Sequence, residues 1–339
     1  MQDNSFDEKL RKSDSFTDIK GQVQAKEQLR SALLMHRNVL IIGPPGVGKT
    51  TLAKNVARLL PTLKMNDCAY HCLPEKPLCP ECRMGKTNET KTVAGLERFV
   101  RIQGSPELSA EDMLGDIDPI KALEFGPFAP EAFTPGKIFK ANHGVLFFDE
   151  LNRAPERLQN SLLQVLEERV VTLGNYDIDF EANFIFIATM NPQDSSTEKL
   201  SDVLLDRFDV IYMDYPETLE IEKEIVIEKG KKTTQFPDNL FEKTLIFIRG
   251  LRGHSQLEKY PSVRASLGVY ERAQSLSQIR NHKTVELSDV KDSMLSVLVH
   301  RISLRASIKY LKDPSEVLKE EFEKAFSPKS TESESGDAG

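Results

Sequence analysis

Short apolar runs alternate with amphipathic segments along roughly the first two thirds of the chain. Segments such as residues 23–35 and 50–60 carry apolar side chains at helical spacing. The runs between such segments are short and rich in β-branched and aromatic residues, as is typical of strands buried on both faces of a parallel sheet. They span residues 38–42, 99–102, 145–148, 184–190 and 210–213. The alternation predicts a doubly wound α/β fold that binds ligands at the carboxyl ends of its strands.

The pattern changes after residue 215, where strand-like runs stop. Helical runs interrupted by Gly250, Gly253 and Pro261 predict a small all-helical domain over residues 216–311. Residues 1–15 are polar and charged, and residues 327–339 have no apolar face. We therefore expect a flexible N-terminus (1–15), an α/β domain (16–215), a helical domain (216–311) and a largely disordered tail (312–339).

A glycine-rich segment between the first predicted strand and its helix matches the phosphate-binding loop. Its glycines let backbone amides face a phosphate, and the next helix presents its positive end. Lys49 is predicted to bind the β- and γ-phosphates of ATP and Thr50 to bind Mg²⁺. The predicted nucleotide-binding residues of this segment are Gly43, Pro44, Pro45, Gly46, Val47, Gly48, Lys49, Thr50 and Thr51.

Two carboxylates follow the apolar run 145–148. Asp149 is predicted to hold Mg²⁺ through water, and Glu150 is predicted to polarise the water that attacks the γ-phosphate. A lone pair of this kind is more often a solvated strand end, but the phosphate-binding loop favours catalysis. Asn191 ends the next apolar run, where its amide could orient the same water. An ordinary turn residue before Pro192 is the alternative for Asn191.

Composition and charge limit the other classes of function. The 339 residues suit two domains, and 45 basic against 52 acidic side chains give a net charge of −7. That charge argues against global attraction to nucleic acid or an anionic membrane. The charged N-terminus has no signal-peptide pattern, and the apolar stretches are too short to span a bilayer. A cytoplasmic protein is therefore expected.

All four cysteines lie within one predicted insertion, residues 64–92. They are Cys68, Cys72, Cys79 and Cys82. In a reducing compartment, four thiolates at this spacing favour a closed structural zinc site. An iron–sulfur cluster, disulfides, free thiols, and His71 in place of one thiolate are the alternatives.

These motifs together resemble the AAA+ ATPases, and within them the MoxR branch and the ATPase subunit (subunit I) of magnesium chelatase. The resemblance covers about residues 16–310 and implies an AAA+ P-loop NTPase with a C-terminal helical lid. The residues that carry it are 43–50, 133–136, 140–144, 145–153, 191 and 204–209.

The resemblance also implies roles for three further positions. Asn191 matches the first sensor of the family, and Arg207 matches the arginine finger that reaches the γ-phosphate of a neighbouring subunit. Arg264 matches the second sensor on the lid, in the first turn of a helix that Ser262 is expected to cap. The alternatives are a salt bridge from Arg207 to Asp206 or Asp209 and a solvated helix position for Arg264.

Two insertions typical of the same groups complete the resemblance. Residues 170–180, with Gly174 and Asn175 between alternating runs, predict a β-hairpin, and residues 120–135 fit a helix-interrupting loop. In related rings such elements face the pore, which makes them candidates for contact with a client protein. An ordinary surface hairpin is the alternative.

The resemblance implies a Mg²⁺-dependent ATPase that forms a homo-hexameric ring and remodels a client protein or drives metal or cofactor insertion. A protein with a von Willebrand factor A domain, or further chelatase subunits, are the partners it implies. Subunit I of a metal chelatase is one alternative, and a nucleic-acid motor is another. The net negative charge argues against the motor, as does the absence of Lys and Arg from residues 170–180.

Overall fold

The computed structural model describes residues 4–86, 89–127, 129–172, 179–192 and 200–327. The chain divides into two compact units, Met1–Asp214 and Tyr215–Gly339, and each is described by itself. None of the helices within the described ranges is long and apolar enough to cross a membrane.

The first unit contains eleven strands and nine α-helices among its described residues. The strands are β1 (Asn38–Ile42), β2 (Leu63–Asn66), β3 (Thr90–Val93), β4 (Phe99–Gln103), β5 (Gly115–Ile117), β6 (Phe133–Pro135), β7 (Val145–Asp149), β8 (Val170–Thr172), β9 (Asp179–Glu181), β10 (Ile185–Met190) and β11 (Phe208–Tyr212). The helices are α1 (Asn4–Arg11), α2 (Val23–Leu34), α3 (Lys49–Leu59), α4 (Pro80–Arg83), α5 (Ala110–Leu114), α6 (Pro119–Phe125), α7 (Lys137–Lys140), α8 (Glu156–Glu168) and α9 (Asp202–Leu205).

A five-stranded parallel sheet forms the centre of this unit, in the order β11-β1-β10-β7-β4. Every residue of β1 is buried, as expected of a strand with neighbours on both sides and helices on both faces. The predicted doubly wound parallel sheet is confirmed. Because its strands are parallel, their carboxyl ends lie at one edge of the sheet.

Each face of the sheet carries its own apolar core. Leu40, Leu146 and Phe186 point to the face covered by α7 and α8. Val39 and Phe147 point to the opposite face, which is covered by α1, α2 and α3. The alternation along each strand follows from the two-residue period of β-structure.

The N-terminal segment differs from the flexible segment expected over residues 1–15. Residues 4–11 form α1, and Phe6 and Leu10 are buried in the core shared with α2 and α3. The four-residue spacing of these two side chains puts them on one face of a helix. The many charged residues of this segment had led to the expectation of a flexible chain.

The second unit is mainly helical. Its elements are α10 (Leu219–Lys229), α11 (Asp238–Gly250), β12 (Leu257–Lys259), α12 (Val263–Ile279), α13 (Leu287–Leu298), β13 (Ser303–Leu304) and α14 (Pro314–Phe326). The expectation of an all-helical unit needs a small correction, because β12 and β13 form an antiparallel pair.

The tail expected from residue 312 is also corrected over α14. Asp313 caps this helix, and Val317, Leu318 and Phe322 are buried in the core of the second unit. The rings of Phe322 and Phe247 meet edge to face at 5.9 Å. Residues 328–339 lie outside the described residues.

Candidate functional site

The glycine-rich loop connects β1 to α3. Gly46 and Gly48 have φ angles of 79° and 105°, in the left-handed region that favours glycine. Gly43 is required for a different reason, since a Cβ atom there would lie 2.1 Å from the backbone oxygen of Met213. The loop therefore forms a compact turn, and its backbone amides lie directly before the N-terminal, positive end of α3.

Lys49 is the first residue of α3, and its side chain folds back over the loop. Its ammonium donates hydrogen bonds to the carbonyl oxygens of Gly43, at 2.5 Å, and Pro44, at 3.0 Å. Thr50 and Thr51 follow in the first turn of the helix. Lys49 is thus positioned within the loop that a phosphate chain would enter.

Asp149 is the last residue of β7, and each of its carboxylate oxygens has a side-chain partner. Oδ1 accepts a hydrogen bond of 2.7 Å from Thr189 Oγ1, and Oδ2 lies 2.6 Å from the guanidinium of Arg101. Thr189 belongs to β10 and is fully buried. Neighbouring strands on both sides therefore fix this side chain.

Glu150 follows Asp149 in a left-handed conformation, with φ at 56°. Its backbone N–H donates to Thr189 Oγ1 at 3.0 Å. Its carboxylate accepts from Gln103 Nε2 at 2.9 Å and lies 3.1 Å from the guanidinium of Arg153. The left-handed turn separates the two carboxylates, so that Asp149 and Glu150 have different side-chain partners.

Asn191 follows β10 directly. Met190 pairs with Ile42, and its carbonyl accepts from the N–H of Gly43 at 3.2 Å, so Asn191 follows a residue that borders the glycine-rich loop. Because β10 lies between β1 and β7, the loop, Asn191 and the two carboxylates share the carboxyl edge of adjacent strands.

Four residues of this edge were missed by the sequence analysis. Arg101, Gln103 and Thr189 contact the carboxylates, and Gly104 packs against their backbone. The available signal was the alternation of β4, in which polar residues Arg101 and Gln103 interrupt an apolar strand. Their contact with β7 depends on the order of the sheet, which no local pattern reveals.

Arg207 pairs with neither of the acids named as alternatives. Its guanidinium lies 2.6 Å from Glu167 of α8 and donates to the backbone oxygen of Val203 at 2.6 Å. Asp209 pairs instead with Arg37, at 3.1 Å. The side chain of Arg207 is 25% exposed.

Arg264 lies in the first turn of α12, in the second unit, and its side chain is exposed. Ser262 occupies the N-cap position of this helix but makes no capping hydrogen bond with its side chain, contrary to expectation.

Comparison with known proteins identifies the family. A family model described as "ATPase family associated with various cellular activities (AAA)" matches residues 78–210, and one described as "Magnesium chelatase, subunit ChlI" matches residues 15–71. The chain is 27% identical over 327 residues to "Chaperone MoxR1" of Mycobacterium tuberculosis, covering 84% of this chain and 73% of the relative. The chain belongs to the AAA+ ATPases of the magnesium-chelatase and MoxR type.

Two further relatives carry chelatase names. The "Magnesium-chelatase subunit ChlI homolog" of Methanocaldococcus jannaschii is 26% identical, with 85% of both chains covered. The "Magnesium-chelatase 38 kDa subunit" of Acidiphilium rubrum is 33% identical over 57% of this chain and 56% of its own length. A solved RuvB mutant of Thermotoga maritima shares the fold, with a TM-score of 0.52, 18% identity and coverage of 84% of this chain and 73% of its own.

The cysteines of this AAA+ ATPase lie together between β2 and β3. The four sulfur atoms lie within 4.8 Å of one another, and Cys72, Cys79 and Cys82 are buried. The backbone amides of Leu78 and Cys79 donate to Cys72 Sγ at 3.2 and 3.4 Å. The backbone amide of Cys72 donates to Cys68 Sγ, and that of Cys82 donates to Cys79 Sγ, each at 3.4 Å. Amides facing sulfur stabilise thiolates, so the donor set fits a four-coordinate soft metal.

Without a metal, the thiols of Cys68 and Cys79 would hold their protons. A hydrogen bond with Cys72, together with burial, raises the pKa of the Cys68 thiol well above its usual range. Burial raises the pKa of Cys79 to about 12. A metal would therefore displace protons when it binds. His71 lies outside the cluster formed by the four sulfurs, and burial lowers its pKa.

The cysteine insertion of the AAA+ ATPase packs against the rest of the first unit. Asn142 is fully buried and donates to the carbonyl of Tyr70 at 3.3 Å, while its own Oδ1 accepts from the N–H of Asn183 at 3.0 Å. Lys76 and Glu181, both exposed, pair at 2.6 Å. The insertion is therefore tied to the end of β9.

The two insertions proposed for client contact are partly described. Strands β8 and β9 pair antiparallel, as predicted for a hairpin, whereas residues 173–178, including Gly174 and Asn175, lie outside the described residues. Helix α6 carries exposed apolar side chains: Ile120 is 77%, Leu123 91% and Phe125 50% exposed. Residue 128 lies outside the described residues.

Proposed function

We propose that this AAA+ ATPase hydrolyses magnesium ATP at the edge formed by the glycine-rich loop, Asp149, Glu150 and Asn191. One observation carries the proposal. The hydroxyl of Thr189 contacts both Asp149 and the backbone of Glu150, which fixes two carboxylates beside a phosphate-binding loop. Such preorganised polar groups are what phosphoryl transfer requires of a protein.

Each polar group has a separate role in this mechanism. The loop amides and Lys49 bind the phosphates, and Thr50 and Asp149 hold the Mg²⁺ that enters with ATP. Glu150 accepts a proton from the attacking water, and Asn191 orients that water toward the γ-phosphate. Lys49 first exchanges its carbonyl contacts within the loop for phosphate oxygens.

The active site is completed across a subunit interface in a homo-hexameric ring. Arg207 stabilises the charge that develops on the γ-phosphate of the neighbouring subunit, and Arg264 senses the nucleotide from the lid. The pairing of Arg207 with Glu167 supports this role, because Glu167 is 62% exposed and an exposed ion pair separates at low cost.

The output of hydrolysis is the remodelling of a client protein. Helix α6 supports this, since three large apolar side chains on seven residues form a surface suited to protein contact. A protein with a von Willebrand factor A domain remains a proposed partner, and the cytoplasm remains the proposed location.

The second candidate is subunit I of a metal chelatase, which the names of the relatives favour. In that case the client is a further chelatase subunit. A nucleic-acid motor is disfavoured by the net charge of −7 and the apolar character of α6.

The cysteine cluster completes the proposal as a structural zinc site. Cys68, Cys72, Cys79 and Cys82 would hold the ion, which supplies four bonds that tie the insertion together. An iron–sulfur cluster is the alternative for the same thiols.

The deciding experiment uses Glu150→Gln, which should bind ATP and form rings while losing turnover. Cross-linked capture from native cells is compared between Glu150→Gln and the double variant that adds Leu123→Glu. A client retained by the first and lost by the second supports the proposal, and chelatase subunits among the captured chains favour the second candidate. Hydrolysis by Glu150→Gln at the wild-type rate contradicts the proposed base.

A further inference from the structure

The guanidinium of Arg101 contacts the carboxylate of Asp149, which the proposed mechanism assigns to Mg²⁺ binding. Arg101, in the middle of edge strand β4, places its guanidinium nitrogen Nη2 2.6 Å from Asp149 Oδ2. The other oxygen, Oδ1, accepts from buried Thr189. The Asp149 side chain is only 14% exposed, whereas that of Arg101 is 52% exposed. Asp149 is therefore the fixed member of this ion pair, and Arg101 is the member that can move.

The same guanidinium nitrogen is connected to the carboxylate of Glu150 through the side chain of Gln103. Arg101 Nη2 also donates to Gln103 Oε1 at 3.1 Å, and Gln103 Nε2 donates to Glu150 Oε2 at 2.9 Å. A single arginine thus connects Asp149 with Glu150. Hydrogen-bonded chains of this kind polarise one another, so loss of one contact weakens the next.

Magnesium and a guanidinium compete for the same oxygen. Mg²⁺ with its bound waters prefers carboxylate oxygens in strict octahedral geometry. Arg101 at 2.6 Å leaves no space for a water on that side of Oδ2. Because the guanidinium and Mg²⁺ are both cations, only displacement of the Arg101 side chain can free this carboxylate oxygen.

We propose that Arg101 is a positioning residue that holds Asp149 until magnesium nucleotide arrives, and that its departure loosens the grip of Gln103 on Glu150. The inference rests on the proposed role of Asp149. Metal arrival and release of the base are then one event. Glu150 is kept from activating water while the site lacks its complete substrate.

The test measures nucleotide binding rather than turnover. A fluorescent ADP analogue is bound to the full chain in EDTA and over a Mg²⁺ titration, for wild type, Arg101→Met and Arg101→Lys. Arg101→Met should lower the Mg²⁺ concentration at half-maximal effect by about two- to five-fold, the range for an ion pair whose cationic partner is exposed. Arg101→Lys, which keeps the charge, should return toward wild type.

Controls separate the alternatives. Arg157→Met removes an exposed arginine of α8 outside this network and should leave the titration unchanged. An unchanged or higher half-maximal Mg²⁺ in Arg101→Met overturns the proposal. Weaker binding in EDTA also overturns it, because Arg101 would then be a phosphate ligand. If Arg101→Met does not fold, Arg101→Gln removes the charge with a polar side chain and meets the same criteria.

Asp149→Asn distinguishes this inference from the proposed function. Loss of the Mg²⁺ effect in Asp149→Asn, together with an unchanged titration in Arg101→Met, would reject only the role of Arg101. A full Mg²⁺ effect in Asp149→Asn would reject the proposed role of Asp149 itself.

Discussion

Thr189 Oγ1 donates to Asp149 Oδ1 at 2.7 Å and accepts the backbone N–H of Glu150 at 3.0 Å. Thr189→Val keeps the shape of this buried side chain but leaves both partners unsatisfied. We expect a loss of about 1–3 kcal/mol in stability and at least a ten-fold fall in kcat. Thermal unfolding and steady-state ATPase assays check this. Thr189→Ser keeps the hydroxyl and should retain most activity, and equal activity of the valine variant would contradict the role.

Gly104 sits where β4 meets the turn between the carboxylates. A Cβ atom at this position would lie 2.0 Å from the carbonyl oxygen of Glu150. The backbone N–H of Gly104 donates a hydrogen bond to the carbonyl oxygen of Asp149 at 2.7 Å. Gly104→Ala should therefore displace the Glu150 turn and lower kcat more than it alters nucleotide affinity. Gly250→Ala is the matched control, because open space surrounds Gly250 at the end of α11. Similar kinetics for the two alanine variants would disprove the steric argument.

Arg207 should act across an interface. Arg207→Ala is expected to lose hydrolysis alone and to regain part of it when mixed with Glu150→Gln chains, since each variant then supplies what the other lacks. Glu167→Gln removes the partner of Arg207 and should leave turnover at or above wild type. The measurement is ATPase rate against mixing ratio. No recovery at any ratio would count against a shared site.

The cysteine insertion should bind one zinc ion per chain, which elemental analysis measures. Since burial raises the pKa of Cys79 to about 12, zinc must displace protons, and its affinity should fall as pH falls. Chelation or Cys82→Ser should lower the melting temperature and speed hydrogen exchange at the Asn183 amide. Met84→Ala, at an exposed position of the same insertion, is the control. A metal-free chain with an unchanged melting temperature would refute the zinc site, and bound iron would favour the cluster.

Glu222 should give the second unit a pH-dependent stability. Burial alone would raise its pKa, but hydrogen bonds from Arg252, Ser266 and Arg249 outweigh burial and hold the pKa below its usual range. Its contribution is therefore present above the unfolded pKa of about 4.3 and is lost as pH falls through the lower folded value.

Glu222→Gln removes that dependence in the same pH window. We expect a loss of about 3 kcal/mol at neutral pH, because Arg252 is left without its buried counter-charge. Hydrogen exchange in α10 of the full chain, followed from pH 7 downward, measures both effects. Glu258→Gln alters an exposed acid and should change neither. Equal protection in the two variants would show that the buried pair contributes little.

The strand ends of the site were predictable because an apolar run followed by polar residues is a local signal. Asp149, Glu150 and Asn191 all follow such runs, and parallel strands bring their ends to one edge. Arg101 and Gln103 lacked that signal. Their role depends on β4 lying beside β7, a pairing between strands more than forty residues apart.

The helices at the two ends of the chain were missed for another reason. Phe6 and Leu10 in α1, and Val317, Leu318 and Phe322 in α14, are few among many charged residues. Average composition predicted disorder, whereas helical spacing gathers these side chains on one buried face. The helical spacing of these apolar residues was present in the sequence, but the high content of charged residues had favoured the expectation of disorder.

Asn142 has a consequence for how this chain can be shortened. Its buried amide connects the carbonyl of Tyr70 to the amide of Asn183, so one half of its bonding belongs to the cysteine insertion. A deletion that removed the insertion would take away the carbonyl that accepts from this amide, and that hydrogen bond contributes about 0.5–1.5 kcal/mol in addition to the lost packing. The insertion is thus no detachable appendage, and a minimal version of the protein needs a substitute for one backbone oxygen.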